Sequence, residues 1–533
     1  MRLILTIVCF SIFITSCKKA TDWDIDASVP IAKSHLNISN FFGDTIFQAD
    51  NSGLLHIAFS KEVINYTMDS LVNLPDTTVK LGFTLPGSYS STPGAQIYSN
   101  AFTNDKEITF DVNNGVQLNK AIVRSGKLKV EYFNSCTQPL NFNYTINSAS
   151  IWGNVFNINQ VIPKGSISSP ATFTKYYDLS GYHISLTGLT NNKVNTLVQT
   201  YTISSDASGQ PDLFLQDQGL EVKLSFIDIV PEYVQGYFGQ QNLNFGPDSS
   251  QLNFLNNFNA NNLVLSQAAI NFRIINEFGI DLQSSITSIR SIKINPLNVI
   301  SLNSGNLLQS INVNRGAKTN NPSSPVFPAV KQVNINSSNS NINSFIQNLP
   351  NYFGYTGNAK INPLGNISGA NDFAYYRHGL KVIADIDVPL ALSANYFSLV
   401  NISKVDLTQL KELKNVNHAE INVQARNNYP FKTTLQGYML NENGQIIDSL
   451  FLPGQNIIQP AVTDVANNIL NYVDSKLTAD FPKEKLNNLM QCKQIKFVSY
   501  LYLTNQPTQV KLDVNSYLDL IVSVNVNYNV STK

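Results

Sequence analysis

The chain has 533 residues, 43% of them hydrophobic and only 14% charged, and its formal net charge is zero. At the usual ~100–200 residues per domain this length suits two to four domains, and the hydrophobic fraction suffices for real cores. A neutral chain with scattered signs has no electrostatic footprint for nucleic acid, so that partner is excluded. About one residue in eight is asparagine, spread among Ile, Val, Leu and Phe rather than run together, which predicts ordered strands joined by many short turns.

The N-terminus opens with one basic residue, Arg2, and an apolar run from Leu3 to Phe13, then Ile14-Thr15-Ser16-Cys17. A positive start, a short apolar stretch and small residues at the cut form a secretory leader over residues 1–16. The stretch is too short to span a ~30 Å hydrocarbon core. Ile14 to Cys17 resembles the lipobox of bacterial lipoproteins. That resemblance implies that Cys17 carries lipid, becomes the first residue of the mature chain, and gives the protein its membrane contact.

Residues 17–114 are expected to form an N-terminal tether and β segment. Asp22, Asp24 and Asp26 share one side of an extended stretch there; a hydrated face is favoured over calcium ligation. Breaks at Asn113-Asn114-Gly115, near Asn259-Ala260-Asn261-Asn262 and near residue 402 divide the remainder into three β modules, 115–260, 261–401 and 402–533. Period-two alternation predicts strands at 127–132, 140–146, 270–274, 280–286, 421–425, 495–503 and 518–530. The fold class expected is therefore all-β, with tandem β-sandwich-like modules and a few short helices.

One unit recurs: strand, asparagine-centred turn, strand. It occupies 128–146, 270–286, 421–440 and 496–514, with Asn134, Asn276, Asn427 or Asn428, and Asn505 at the turn. Asparagine suits a kink that needs positive φ. Convergence of unrelated turns on Asn in an Asn-rich chain is the alternative to a common module. Short amphipathic helices are expected at 249–255, 341–346 and 485–490, and one longer helix at 462–473, capping a sheet pair. Asp24 to Ala32 is echoed by Asp385 to Ala391, each with a proline in an apolar pattern, which suggests equivalent edge strands in two modules.

Chemistry-bearing motifs are scarce. Neither a nucleophile elbow, a phosphate loop, a zinc helix nor a calcium loop occurs, and the five histidines are isolated from one another. No metal, cofactor or enzyme activity is expected. Glu131, Glu221 and Glu232 read as the solvent faces of half-buried strands. Of the cysteines left in a mature body, Cys136 and Cys492 admit one disulfide, with two buried free thiols the alternative. The aromatic clusters Tyr176-Tyr177 and Tyr237-Phe238 are the candidate ligand contacts, the second flanked by Gly236 and Gly239; packing is the competing reading.

The lipobox, the Trp23-Asp24-Ile25-Asp26 start and the Asn-rich β texture together resemble the large all-β lipoproteins of Bacteroidota-type outer membranes. Asp44-Thr45-Ile46, Asp69-Ser70-Leu71, Asp76-Thr77-Thr78 and Asp448-Ser449-Leu450 resemble the O-glycosylation sites of that group. Lys18-Lys19 departs from the early acids of its surface-exported members. The resemblance implies a cell-envelope protein, anchored in the outer membrane and facing either side. The function expected is non-enzymatic binding or assembly, with envelope proteins or glycans as partners. Glycan capture, glycoside hydrolysis and lipid carriage are the alternatives.

Overall fold

The computed structural model describes residues 21–37, 47–51, 54–97, 105–207, 211–252, 259–261, 263–265, 267–305, 309–412, 416–452, 456–464, 469–502, 510–511, 513 and 515–532. Cys17, the leader, Asn505 and Thr45 lie outside the described residues. The fold is all-β, as the alternation predicts.

Three long strands come first: β1 (Thr21–Asn37), β2 (Leu55–Thr67) and β3 (Thr77–Thr84). Module 1 follows with β4 (Gln117–Asn134), β5 (Leu140–Ile151), β6 (Asn154–Ile162), β7 (Ala171–Asp178), β8 (Thr196–Ser205) and β9 (Gly219–Tyr237). Module 2 has β10 (Gln241–Gln251), β11 (Ala269–Asn276), β12 (Leu282–Lys293), β13 (Asn298–Ser301), β14 (Ala329–Asn336), α1 (Ile342–Gln347), β15 (Tyr352–Ile361), the short β16 (Asp372–Tyr375) and β17 (Gly379–Pro389). Module 3 has β18 (Tyr396–Lys404), α2 (Thr408–Glu412), β19 (Val416–Asn427), β20 (Lys432–Leu440), β21 (Ile446–Ser449), β22 (Val473–Asp480), α3 (Lys483–Gln491), β23 (Gln494–Tyr502) and β24 (Tyr517–Thr532).

The boundaries differ from those expected, because β10, within the expected 115–260, pairs with β15, and β18, which begins before 402, pairs with β23; so divided, the three modules share one plan. Each has a first sheet built on four antiparallel strands, in the orders β3-β9-β4-β7, β2-β17-β11-β14 and β1-β24-β19-β22. Phe47–Ala49 is added beside β2, and His183–Ser185 pairs with both β4 and β5, so that the two layers of module 1 form one continuous sheet. Each has a second sheet, ordered β6-β5-β8, β13-β12-β15-β10 and β21-β20-β23-β18, with Lys106–Thr109 completing the first of these beside β8. The outermost strand of every first sheet comes from the N-terminal segment, and in reverse order: β3 joins module 1, β2 module 2 and β1 module 3. The segment expected as a tether is therefore shared out among the modules as strands.

Alternation sets the faces. Along β4 and β11 every second residue is buried, and these inward residues meet those of the second sheet, as where Tyr132 lies 5.8 Å from Phe142 in an edge-to-face contact. Burying each such aromatic or aliphatic side chain contributes roughly 1.5–3 kcal/mol, which makes register strongly specified.

Two helix expectations hold and two do not. α1 and α3 lie close to the expected 341–346 and 485–490. Residues 249–251 instead continue β10, which pairs with β15. The described residues of 462–473 are not helical: Val462–Thr463 pairs with Ile469–Asn471, and Val473 begins β22. The spacing of Val465, Ile469 and Val473 fits a helical face, yet β22 is claimed by hydrogen bonding to β19. The proposed echo of edge strands also fails. β1 is an edge strand with a register shift after Pro30, whereas β17 is paired on both sides and Pro389 merely ends it.

Candidate functional site

The recurring asparagine is a hydrogen-bond hub, built three times over. The Asn134 Oδ1 accepts from the Cys136 N–H at 2.9 Å, while Nδ2 donates to the carbonyls of Gln138 at 3.2 Å and Pro163 at 2.8 Å. Asn276 repeats this with the Phe278 N–H at 3.0 Å and the carbonyls of Ile280 and Asn314, both at 2.8 Å. Asn427, not Asn428, does so with the Tyr429 N–H at 2.9 Å and the carbonyls of Phe431 at 3.1 Å and Gln459 at 2.8 Å.

Backbone bonds around each hub match as well. Gly165, Gly316 and Ala461 donate to Cys136, Phe278 and Tyr429, and Ser135, Glu277 and Asn428 donate to Gly219, Gly379 and Tyr517. All three asparagines are fully buried, and none has positive φ. Asparagine stands here for its side-chain amide, which pins the corner where the chain leaves the first sheet for the second. A further repeat marks the partner strand: Gly219-Leu220-Glu221-Val222, Gly379-Leu380-Lys381-Val382 and Tyr517-Leu518-Asp519-Leu520 place a buried leucine opposite each hub. The G-L-x-V pattern was visible in the sequence, and sequence reasoning missed it.

The outer face of each first sheet carries a shallow groove, about 710 Å³ in module 2, 480 Å³ in module 1 and 440 Å³ in module 3. The module 2 groove is lined by Asp50, His56, Asp385 and Asp387. Arg273 on β11 donates through Nε to Asp385 Oδ2 at 2.5 Å and through Nη2 to Oδ1 at 3.1 Å, and Ser60 Oγ donates to the same carboxylate at 2.5 Å. Beside it His56 Nδ1 lies 2.8 Å from Asp387 Oδ1, and its Nε2 lies 3.5 Å from Asp50 Oδ2. The Arg273 and Ser60 hydrogen bonds hold the Asp385 carboxyl below the usual carboxylate range despite partial burial. The module 3 groove has a similar pair, Arg426 Nε to Asp474 Oδ1 at 2.9 Å, which lowers the Asp474 pKa.

The predicted site residues are scattered. Phe238 is fully buried, which corrects its reading as a ligand contact. Gly236 is a strand position where a Cβ would stand 2.0 Å from the Gln117 carbonyl, so the glycine permits close strand approach rather than presenting rings. Tyr237 is half-buried. Tyr177 packs edge-to-face on Phe156 at 6.4 Å, leaving Tyr176, 59% exposed, as the open ring of the four.

Cys136 and Cys492 are both free and buried, in modules 1 and 3, so the disulfide is replaced by the two-thiol alternative. Burial pushes the Cys136 thiol up to about 12 and raises that of Cys492, which donates to the Gln494 carbonyl at 3.1 Å. Both thiols are thereby unreactive near neutral pH. Asp24 and Asp26 accept hydrogen bonds from Asn529 and Asn527, and among the described residues no group of His, Cys, Asp or Glu is arranged for a metal. An apolar cavity in module 1, lined by Leu74, Phe110, Leu197 and Phe226, measures about 50 Å³, far below the ~300 Å³ at which ligand pockets begin.

The fold is that of an all-β protein of three sandwich-like modules, each built on two layers of four main antiparallel strands with a groove on the outer face of the first. No family model matches the chain, and no curated protein matches it. Among solved structures it is similar to a "putative secreted protein" from Parabacteroides distasonis, with 12% identity, 54% of this chain and 82% of that chain covered, and a TM-score of 0.28. It is also similar to the infectious bursal disease virus VP2 subviral particle, with 10% identity, 93% and 86% covered, and a TM-score of 0.10. Likenesses this distant assign no activity. No helix among the described residues is long and apolar enough to cross a membrane.

Proposed function

We propose that this protein is a lipid-anchored envelope protein that acts as a non-enzymatic binding or assembly module. The observation that carries this reading is the threefold repetition of one sandwich plan, each copy exposing the same sheet with a groove of paired charges or polar groups. Repetition of a surface suits multivalent binding, where linked weak contacts gain 10²–10⁴ in avidity by effective concentration (an order-of-magnitude range). The Arg273–Asp385 pair beside the module 2 groove, with hydrogen bonds at 2.5 and 3.1 Å, and the Arg426–Asp474 pair in the module 3 groove give that surface orientation and charge pattern, which favour specificity over raw affinity. The lipobox-like Ile14 to Cys17 supplies the anchor in this reading.

The test is a pull-down of the full chain from detergent-solubilised envelopes, alongside a double variant His56→Ala and Asp387→Ala in the module 2 groove. A reproducible partner retained by the parent and weakened at least about tenfold by the variant is expected, equivalent to ~1.4 kcal/mol. Failure to recover any reproducible partner with the parent chain overturns the reading.

A further inference from the structure

The end of module 3 nearest the anchor has its own surface chemistry. β1 and β24 pair from Thr21↔Thr532 to Asn37↔Tyr517, and among the described residues β19 pairs with β24 from Val416, opposite Tyr528, onward. Thr21–Asp24 and Asn529–Thr532 pair with each other as the end of a two-stranded ribbon. One face of the ribbon is apolar: Trp23 is 61% exposed, its cross-strand partner Val530 36% and Ile25 38%. The other face is polar, where Asn529 Nδ2 donates to Asp24 Oδ1 at 3.1 Å and Asn527 Nδ2 to Asp26 Oδ1 at 2.8 Å.

We infer that this ribbon is a membrane-surface contact, with Trp23, Ile25 and Val530 seated at the headgroup–acyl boundary of the bilayer that holds Cys17. The inference rests on the anchor in the reading above. Trp23 lies six positions after Cys17, so their Cα atoms are within roughly 22 Å of each other even at full extension. Tryptophan favours this boundary, where its ring is buried and its N–H stays wet. The polar Asp–Asn face then points away from the bilayer.

The chain has two tryptophans, so Trp152→Phe leaves Trp23 as the sole indole. The mature lipidated variant is placed in vesicles of phosphatidylethanolamine and phosphatidylglycerol with brominated acyl chains, and acylation of Cys17 is read by mass spectrometry. The expected result is a shift of Trp23 emission to shorter wavelength and quenching on the order of twofold, stronger for bromines near the headgroup than near the chain end, because such faces seat only ~5–10 Å deep. An acylated chain whose Trp23 stays unshifted and unquenched overturns the inference and leaves the anchor standing. A shift that grows with protein concentration without vesicles assigns the ribbon to self-association and overturns it too. A chain without acyl groups overturns the anchor, and with it this contact.

Discussion

At the scale of single residues, the hub asparagines hold more of the structure than any exposed group. Each satisfies one buried N–H and two carbonyls, the second on an exposed residue 29, 38 or 32 residues further along the chain. Truncating Asn276 to alanine orphans the buried Phe278 N–H and Ile280 carbonyl, at ~1–3 kcal/mol each. Asn276→Ala should therefore cost about 3–5 kcal/mol in urea unfolding, while Asn65→Ala on the surface stays within ~0.5 kcal/mol. Asn276→Asp should also destabilise, since it keeps the acceptor but turns a carboxylate towards two carbonyls. Asp385 makes a different prediction. Its pKa is lowered in the fold by Arg273 first and Ser60 next, so its contribution is present above the unfolded value of ~3.9 and lost as pH falls through the lower folded value. The stability gap between the parent and Asp385→Asn should accordingly close below about pH 4, measured by unfolding at stepped pH. A gap unchanged at acid pH would show that the Arg273 pairing does not hold the carboxylate.

Among elements, the N-terminal strands depend most on partners distant in sequence. β1 buries Val29, Ile31 and Leu36 against module 3, and His35 Nδ1 meets Asp519 Oδ1 at 2.5 Å across a separation of 484 residues. A chain beginning after residue 37 should lose roughly 5 kcal/mol from module 3, the burial of three aliphatic side chains, while module 1 keeps its protection. Hydrogen exchange on β24 and β4 reads the difference, and a peptide of residues 21–37 should restore β24 by strand addition. Equal loss in both modules would refute the assignment of β1 to one sheet. This is also where sequence reading stops. Alternation along Lys127 to Tyr132 or Ile270 to Ile274 is local, so the strands and their inward faces were legible. The hub asparagines were legible as turns but not as hubs, because their remote carbonyls lie some thirty residues away. Nothing local in β1 points to β24, and the helical spacing at 462–473 lost to strand pairing with β19.

For the whole molecule, the nested order of the N-terminal strands ties folding to synthesis. β3 finds its partner once β9 has emerged near residue 237, β2 must wait for β17 near 389, and β1 waits for β24 near 532. The first strand to be made is thus the last to be paired, and the modules close in the order 1, 2, 3. Contacts of such separation carry a loop-closure cost that grows slowly with length but delays their formation, and domains generally fold as units as they appear. Chains ending after residue 240 should therefore protect β4 and β9 from proteolysis, those ending after residue 392 should protect β11 and β17 as well, and β1 should become resistant only in the full chain. Mass mapping of the resistant fragments distinguishes the cases. If β1 is already protected in a chain ending at 392, it has another partner before β24 exists, and the nested order does not govern assembly. If it is exposed until the end, the first strand stays open until the last strand is made, and pairing of β1 with β24 is the step that closes module 3.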